Sequence, residues 1–227
     1  MKPKTSFDAG KDSGDIIRSV NCPFCQEFST GRFDCDDTIF TSRFLAETEH
    51  FSVVPDISPL VPGHVMILPK SHQRSFGAVP LEQSDEFSEL VALVKRVLTE
   101  CYERPIVLEH GTNSLSVGGG CVSHAHLHFM PKAVDFRPAL SKYGMSPLSR
   151  FEDLRSWADQ DRSYVFFGAV DGEMYVADQL FGIPRQFIRI EFARAIGLPD
   201  PLWNWREHIL LENLESTFNT LSKASWK

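Results

Sequence analysis

The chain has 227 residues, 42% of them hydrophobic, and a formal net charge of −7. That is enough apolar material for one sizeable core or one core plus an extension, and the acidic balance argues against a general binder of phosphate backbones, which needs basic patches. No apolar run is long enough to span a bilayer, and five cysteines, an odd number without a secretion signal, favour thiols or metal ligands over a disulfide framework.

In chain order, residues 1–18 are polar and read as a flexible tail before a cytoplasmic domain. "NCPFC" follows, in which Cys22 and Cys25 form half of a zinc ligand set. "HFSVVPDI" is a β-branched and aromatic run closed by Pro55 and Asp56. "PLVPGHVMILPKSH" has a Pro-Gly turn at 62–63 and then a strand whose His64, Met66 and Leu68 share one face. Residues 80–102 carry Phe87, Leu90, Val91, Val94, Val97, Leu98 and Cys101 at helical spacing, with Pro80 suited to the first turn. "PIVLEHG" is a short strand, and "GTNSLSVGGGC" a loop leading into "CVSHAHLHFMP". Beyond Arg137, "RFEDLRSWADQ" reads as helical. Asp171-Gly172 predicts a type I′ hairpin between "YVFFGAV" and "EMYVADQL". "RQFIRIEFARAIG" is a helix capped by Gly197 and stopped by Pro199.

Three of the eight histidines stand in strict alternation at 124, 126 and 128. On a strand they share one face, about 6.5–7 Å apart between alternate residues, with Ala125, Leu127 and Phe129 on the other. Such a row suits a metal site or nucleophilic attack on phosphorus, because a neutral imidazole attacks a phosphoryl centre and carries it as a phosphoramidate. Gly118, Gly119 and Gly120 just upstream let backbone N–H groups approach phosphate oxygens. Structural zinc needs two ligands besides Cys22 and Cys25. Candidates are His72, His124, His50 and His110, with Cys35 and Cys121 also open. A redox role for the C-x-x-C pair lacks the βαβ context it requires.

"HAHLHFM" resembles the signature of the histidine-triad superfamily of nucleotide hydrolases and transferases. "PDISPLVPGHVMILPKSH" is similar to that family's block before the helix, and "CPFC" to its zinc half-site. The resemblance covers about residues 20–135. It implies an α+β fold on an antiparallel sheet, commonly dimeric, spanning residues 19–137 here. Residues 138–227 then form a hairpin-helix extension packed upon it.

The resemblance also implies residue roles. His126 is the nucleophile that transiently carries a nucleoside monophosphate, and His128 and His64 contact phosphate oxygens. Asp56 holds ribose hydroxyls, and Phe24 and Ile57 line the base pocket. The base is adenine by family habit. Structural zinc is held by Cys22, Cys25, His72 and His124, which fixes where His126 points. Histidine at the third triad position favours hydrolysis, since the transferase branch has glutamine there. An extension that excludes water suits transfer instead.

This chain also departs from the family pattern. Glu109-His110-Gly111 replaces the familiar tripeptide. Cys121 stands three residues before the triad, where a phosphate-binding Ser or Thr is usual, so Asn113, Ser116 and Ser123 are substitutes in the loop. "PRQFIRIEFARAIGLPDPLWNWREH" resembles tails of dinucleoside-polyphosphate phosphorylases and of proteins related to RNA-lariat debranching factors. Arg185 or Arg189 could reach a substrate from it, although a salt-bridged surface helix is the expectation. Trp203 and Trp205 are expected to pack the extension down. A nucleotide- or RNA-binding module with little turnover is the competing class of function, and a triad wholly given to metal is the third.

Overall fold

The computed structural model describes residues 22–35, 38–41, 43–113 and 122–227. The tail, Gly118–Gly120, Ser116 and Cys121 therefore lie outside the described residues. Ten strands and six α-helices organise the rest. Strands β1 (Arg32–Cys35) and β2 (Thr38–Thr41) form a separate hairpin beside helix α1 (Pro23–Thr30). The main sheet has eight strands in the order β3-β4-β5-β7-β6-β9-β10-β8, and every pair in it is antiparallel. They are β3 (Ala46–Glu47), β4 (Phe51–Pro55), β5 (Val65–Pro69), β6 (Ile106–Gly111), β7 (Leu127–Met130), β8 (Met145–Pro147), β9 (Tyr164–Gly168) and β10 (Met174–Ala177).

One face of this sheet packs on helix α2 (Ser84–Cys101). Phe87, Leu90, Val94, Val97 and Leu98 meet Phe51, Val53, Val65, Ile67, Val107, Leu127 and Phe129 there. The expected helix thus holds, with a 3-10 turn at Leu81–Gln83 taking its first residues. The β4–β5 connection closes at Gly63, with φ of 85° and with Tyr102 and Pro131 so near that an added Cβ would lie 2.7–2.8 Å from them. Only glycine fits that corner.

The opposite face is covered in two parts. Val54, Met66 and Leu68 pack against Cys22, Phe24 and Phe33. Leu108, Met130, Val165 and Phe167 pack under Phe136, under Leu140 of α3 (Arg137–Leu140), and under Phe187, Ile188 and Phe192 of α5 (Phe187–Ala195). The C-terminal residues are continuous with the sheet. Strand β9 pairs with β6 from Val107↔Gly168 to Gly111↔Tyr164. Helix α6 (Leu211–Leu221) returns to the β4–β5 corner, where Thr217 Oγ1 accepts the Gly63 N–H at 2.8 Å. The sheet edges are then β3, of two residues, and β8, of three including Pro147, both short as unpaired edges usually are.

Two local expectations are corrected. The β9–β10 hairpin is observed, but Asp171 does not take positive φ, as type I′ requires of both central residues. Gly172 N–H bonds Ala169 O at 3.1 Å and Gly172 alone has φ of 99°, so the loop is a turn closed by one left-handed glycine. "RFEDLRSWADQ" splits into a 3-10 turn, Phe151–Leu154, and a short α4 (Arg155–Asp159).

Candidate active site and metal cluster

The histidine row is not one continuous strand. Strand β7 begins at Leu127, and the approach to it is pinned by Ala125 N–H on Gln73 O at 2.6 Å. The three imidazoles, all at least nine-tenths buried, go to different partners. That corrects the expectation of a shared row, and it removes the reading in which all three bind one metal.

His124 turns towards the N-terminal segment. Its Nε2 donates to Pro69 O at 2.8 Å, which leaves Nδ1 as a lone pair. That nitrogen lies 3.4 Å from Cys22 Sγ and 3.6 Å from Cys25 Sγ, and His72 Nδ1 lies 3.3 Å from Cys25 Sγ. All four donor atoms lie within 4.8 Å of one another. Tetrahedral zinc with ordinary Zn–S and Zn–N bonds sets sulfur and nitrogen about 3.6 Å apart. The donor set and spacing fit zinc, and this geometry selects His72 and His124 from the open candidates. His50 instead bonds Glu86, through Nδ1 at 2.6 Å, and His110 lines the pocket described next. Without a cation, burial and the neighbouring Cys22 push the Cys25 thiol up to about 12.

His126 and His128 open into a cavity of about 610 Å³, mouth included, lined also by Phe24, Ile57, Asp56, His110, Gln186 and Trp205. His126 Nδ1 sits 2.6 Å from His124 O, a carbonyl that can only accept, so the proton is on Nδ1 and Nε2 carries the lone pair. A second chain of bonds assigns the other ring. His64 Nδ1 accepts the Leu60 N–H at 3.3 Å, so His64 Nε2 carries the hydrogen. That nitrogen donates to His128 Nδ1 at 2.9 Å, which leaves His128 with an Nε2–H. His64, 0% exposed, does not line the cavity. It holds His128 from behind, which corrects the expectation that it contacts phosphate itself.

The electrostatics keep these rings neutral. Burial brings His64 down to about 4 against the pull of Asp56. Burial also lowers His126, opposed by the His124 carbonyl, and takes His128 well below the ordinary range together with its two histidine neighbours. His110 is brought to about 4 by burial and then by His126.

Asp56 is the charged member, and it is already engaged. Arg189 Nη1 donates to its Oδ1 at 3.0 Å and Ser58 N–H to the same oxygen at 2.8 Å. Burial would raise this carboxyl. Arg189, with the Ser58 N–H, overrides it and holds Asp56 well below the usual range. The donors of Asp56, His64 and His128 lie within reach of one cation, but the Arg189 charge on the same carboxylate opposes one.

Arg189 corrects the expectation of a surface helix. It is 4% exposed, and its remaining donors bond Trp203 O and Ser58 O, so it clamps α5 to the β4–β5 corner. Arg185 is exposed. Trp203 packs into the core beneath α5, and Trp205 packs beside Phe24 and Ile57 at the cavity.

Other expected residues separate. Asn113 does not line the cavity, because its Oδ1 accepts from Ser75 and its Nδ2 donates to Arg162 O. Ser123 is half-buried and is not among the lining residues, while Gly119 and Gly120 lie outside the described residues. Glu109 faces the α2 side, accepting from Tyr164 OH at 2.6 Å and Phe76 N–H at 2.7 Å.

Sequence reasoning left three polar lining residues without a role there: Arg43, His110 and Gln186. Arg43 forms a buried bidentate pair with Glu27, at 2.6 and 2.7 Å. No short motif announces it. His110 carried a signal in its place beside the triad, since the Leu108↔His128 pairing sets it across from His126.

The HIT domain family model matches residues 39–134. An uncharacterized HIT-like protein of Chlamydia muridarum is 31% identical over 134 residues, 57% of this chain and 93% of that protein. The protein hit of Bacillus subtilis is 27% identical over 112 residues, 49% of this chain and 71% of its own. Among solved structures, a zinc-bound histidine triad family protein of Mycobacterium smegmatis aligns with a TM-score of 0.39 at 21% identity, covering 63% of this chain and 96% of that one. With a relative above 30% identity spanned almost from end to end, the chain belongs to the HIT family.

Proposed function

We propose that the protein is a nucleotide hydrolase acting at the α-phosphorus of a nucleoside monophosphate conjugate: a phosphoramidate, a dinucleoside polyphosphate or an acyl-nucleotide. The observation that carries this reading is the 2.6 Å bond from His126 Nδ1–H to His124 O, which leaves Nε2 as a lone pair at the cavity. In the first step the Nε2–P bond forms as the bond from phosphorus to the leaving group breaks, and the electron pair departs with that group. The His126 adduct keeps its Nδ1–H, and its imidazolium charge is met by the phosphoryl oxygens. Water then attacks phosphorus and gives up one proton, which reaches the departed leaving group by way of solvent; the N–P bond breaks, the pair returns to Nε2 and the nucleoside monophosphate leaves. His128 Nε2–H donates to a non-bridging oxygen through both steps, where a fixed donor in a water-poor site counts most. His64 keeps that donor in the right tautomer.

Phe24, Ile57 and Trp205 offer apolar walls for a base, adenine in this reading. Cys22, Cys25, His72 and His124 would hold a zinc ion that would supply no chemistry and would fix the His124 carbonyl that orients His126. Cys22 and Cys25 as reduced metal ligands and Cys101 as a thiol, none in a disulfide, suit a reducing, cytoplasmic setting. A homodimer, if built by extending the sheet, would have to use the short β3 or β8 edge, because β9 already occupies β6.

A second reading, transfer of the nucleotide to an acceptor other than water, is favoured by one observation: Gln186 and Trp205 of the extension line the cavity. Intact mass after brief mixing and a neutral denaturing quench tests the first. A gain of one nucleoside monophosphate in the parent and none in His126→Ala is the expected result. Turnover retained in His126→Ala would reject the covalent route.

A further inference from the structure

We infer that Gln186 Oε1 is the acceptor that reads a hydrogen-bond donor on the nucleoside half of the substrate, a ribose hydroxyl or a base N–H; this rests on the nucleotide reading above. Gln186 is the residue before α5 and takes φ of 59° and ψ of 26°, a left-handed conformation uncommon outside glycine. A side chain at this position usually caps the helix, and here it makes no capping bond. Its Nε2 donates instead to Asn204 Oδ1 at 2.7 Å.

The same Asn204 atom accepts the Arg206 backbone N–H at 3.3 Å, so it is the oxygen, and the Gln186 atom facing it is the nitrogen. The Gln186 amide is therefore fixed, with Oε1 turned away from Asn204. That oxygen is buried and has no hydrogen-bond partner among the described residues, and the residue lines the cavity with His126, His128 and Trp205.

Such an acceptor selects its ligand. Phosphoryl oxygens offer no hydrogen, so Oε1 does not serve the reacting phosphate. Gln186 lies one helical turn before Arg189, which bonds Asp56. Asp56 Oδ1 already takes two donors, from Arg189 and Ser58. At that end of the cavity, Gln186 Oε1 joins Asp56 Oδ2, which has only His64 Nε2 at 3.6 Å and His128 Nδ1 at 3.8 Å beside it, as an acceptor for a nucleoside donor. The extension thus contributes a specificity residue that lies outside the residues matched by the family model.

The test uses the full chain, Gln186→Leu and Gln186→Glu. Substrates are four nucleotide conjugates with one common leaving group: adenosine, 2′-deoxyadenosine, 3′-deoxyadenosine and purine riboside, which lacks the amino group. The parent should lose roughly 10-fold or more in kcat/KM on the analogue missing the donor. Gln186→Leu should lose as much on the adenosine substrate and nothing further on that analogue, and Gln186→Glu, which keeps an acceptor, should restore part of the discrimination. Which analogue responds distinguishes sugar from base. An equal loss on all four substrates, or no loss on any, overturns the inference. Equilibrium binding of the four monophosphates to His126→Ala, with and without Gln186→Leu, reads the same discrimination without turnover. A failure of the covalent reading is thereby separated from a failure of this one.

Discussion

His124 and His128 stand four residues apart and face opposite surroundings. His124 turns a bare nitrogen towards two thiols and a second histidine, all placed as corners around a cation. His128 sits with His64 and Asp56 in a group whose donors lie equally close, yet its charge is matched by Arg189 and its rings are kept neutral. The difference lies in what the second ring nitrogen bonds. A carbonyl acceptor leaves a lone pair facing the site at His124 and His126, whereas a relay starting from the Leu60 N–H leaves a donor at His128. One sequence pattern thus leaves a bare nitrogen at His124 and His126, set by backbone carbonyls, and an N–H at His128, set through the His64 ring.

The sharpest way to separate the two clusters is His126→Ala. It should abolish turnover, by roughly 10³-fold or more, while keeping one zinc per chain by metal analysis and an unchanged melting temperature. Loss of zinc with His126 would merge the clusters and sink the division. Cys22→Ser or chelation should do the reverse. Stability should fall, at most by something on the order of 10 kcal/mol, visible as a large drop in melting temperature, with activity lost through folding.

Arg189→Met leaves Asp56 buried beside uncharged neighbours, and removal of one partner of such a pair costs about 3–5 kcal/mol. Chemical denaturation measures it, and a cost under about 1 kcal/mol would mean that the clamp is dispensable. His64→Gln should cut kcat about 10–100-fold with little change in KM, as expected when the group that orients a site residue is lost. An unchanged kcat would remove His64 from the relay.

A pH slope from the far side of the sheet gives a contrast outside both clusters. Burial, against the Tyr164 hydroxyl and the Phe76 N–H, raises Glu109 from 4.5 to about 7. The native state then holds a proton that the unfolded chain releases, so this residue's contribution to stability falls as pH rises from about 4.5 to about 7. His64 and His110, lowered from 6.5 to about 4, act in the opposite sense: the unfolded chain takes up their protons, and stability falls as pH drops below about 6.5. Glu109→Gln should remove the first slope alone. Relative to the parent it gains on the order of 3 kcal/mol between pH 4.5 and 8, measured by urea unfolding across that range. A parent-to-variant difference that stays flat with pH would show Glu109 ionised throughout.

Much of this molecule was legible in the chain. Alternation in "HVMIL", the helical spacing from Phe87 to Leu98 and the Cys22/Cys25 spacing each rest on local periodicity, and each appears where expected. The triad resemblance pointed to His126, His128, Asp56, Phe24 and Ile57, which line the cavity together with Arg43, His110 and Gln186, to which it gave no role there. Local pattern could not tell that His124 leaves the row, because that depends on Pro69 O in a neighbouring strand, nor that His64 stands behind His128 rather than beside it. The fate of Asp56 was equally hidden. Its partner lies 133 positions away, and nothing in "RQFIRIEF" distinguishes a buried guanidinium from a surface one.

Sequence by itself determined the elements and the chemical inventory: strands, helices, thiols and imidazoles, whose spacing is a property of neighbouring residues. Tertiary structure decided the assignments: which nitrogen carries a proton, which carboxylate is already paired, and that Gln186 of the extension brings an unpartnered oxygen to the cavity. The physical reason is that a hydrogen bond's second partner is supplied by whatever the fold brings alongside. In this chain that partner comes repeatedly from segments far away in sequence, such as β9 against β6 and α5 against the β4–β5 corner.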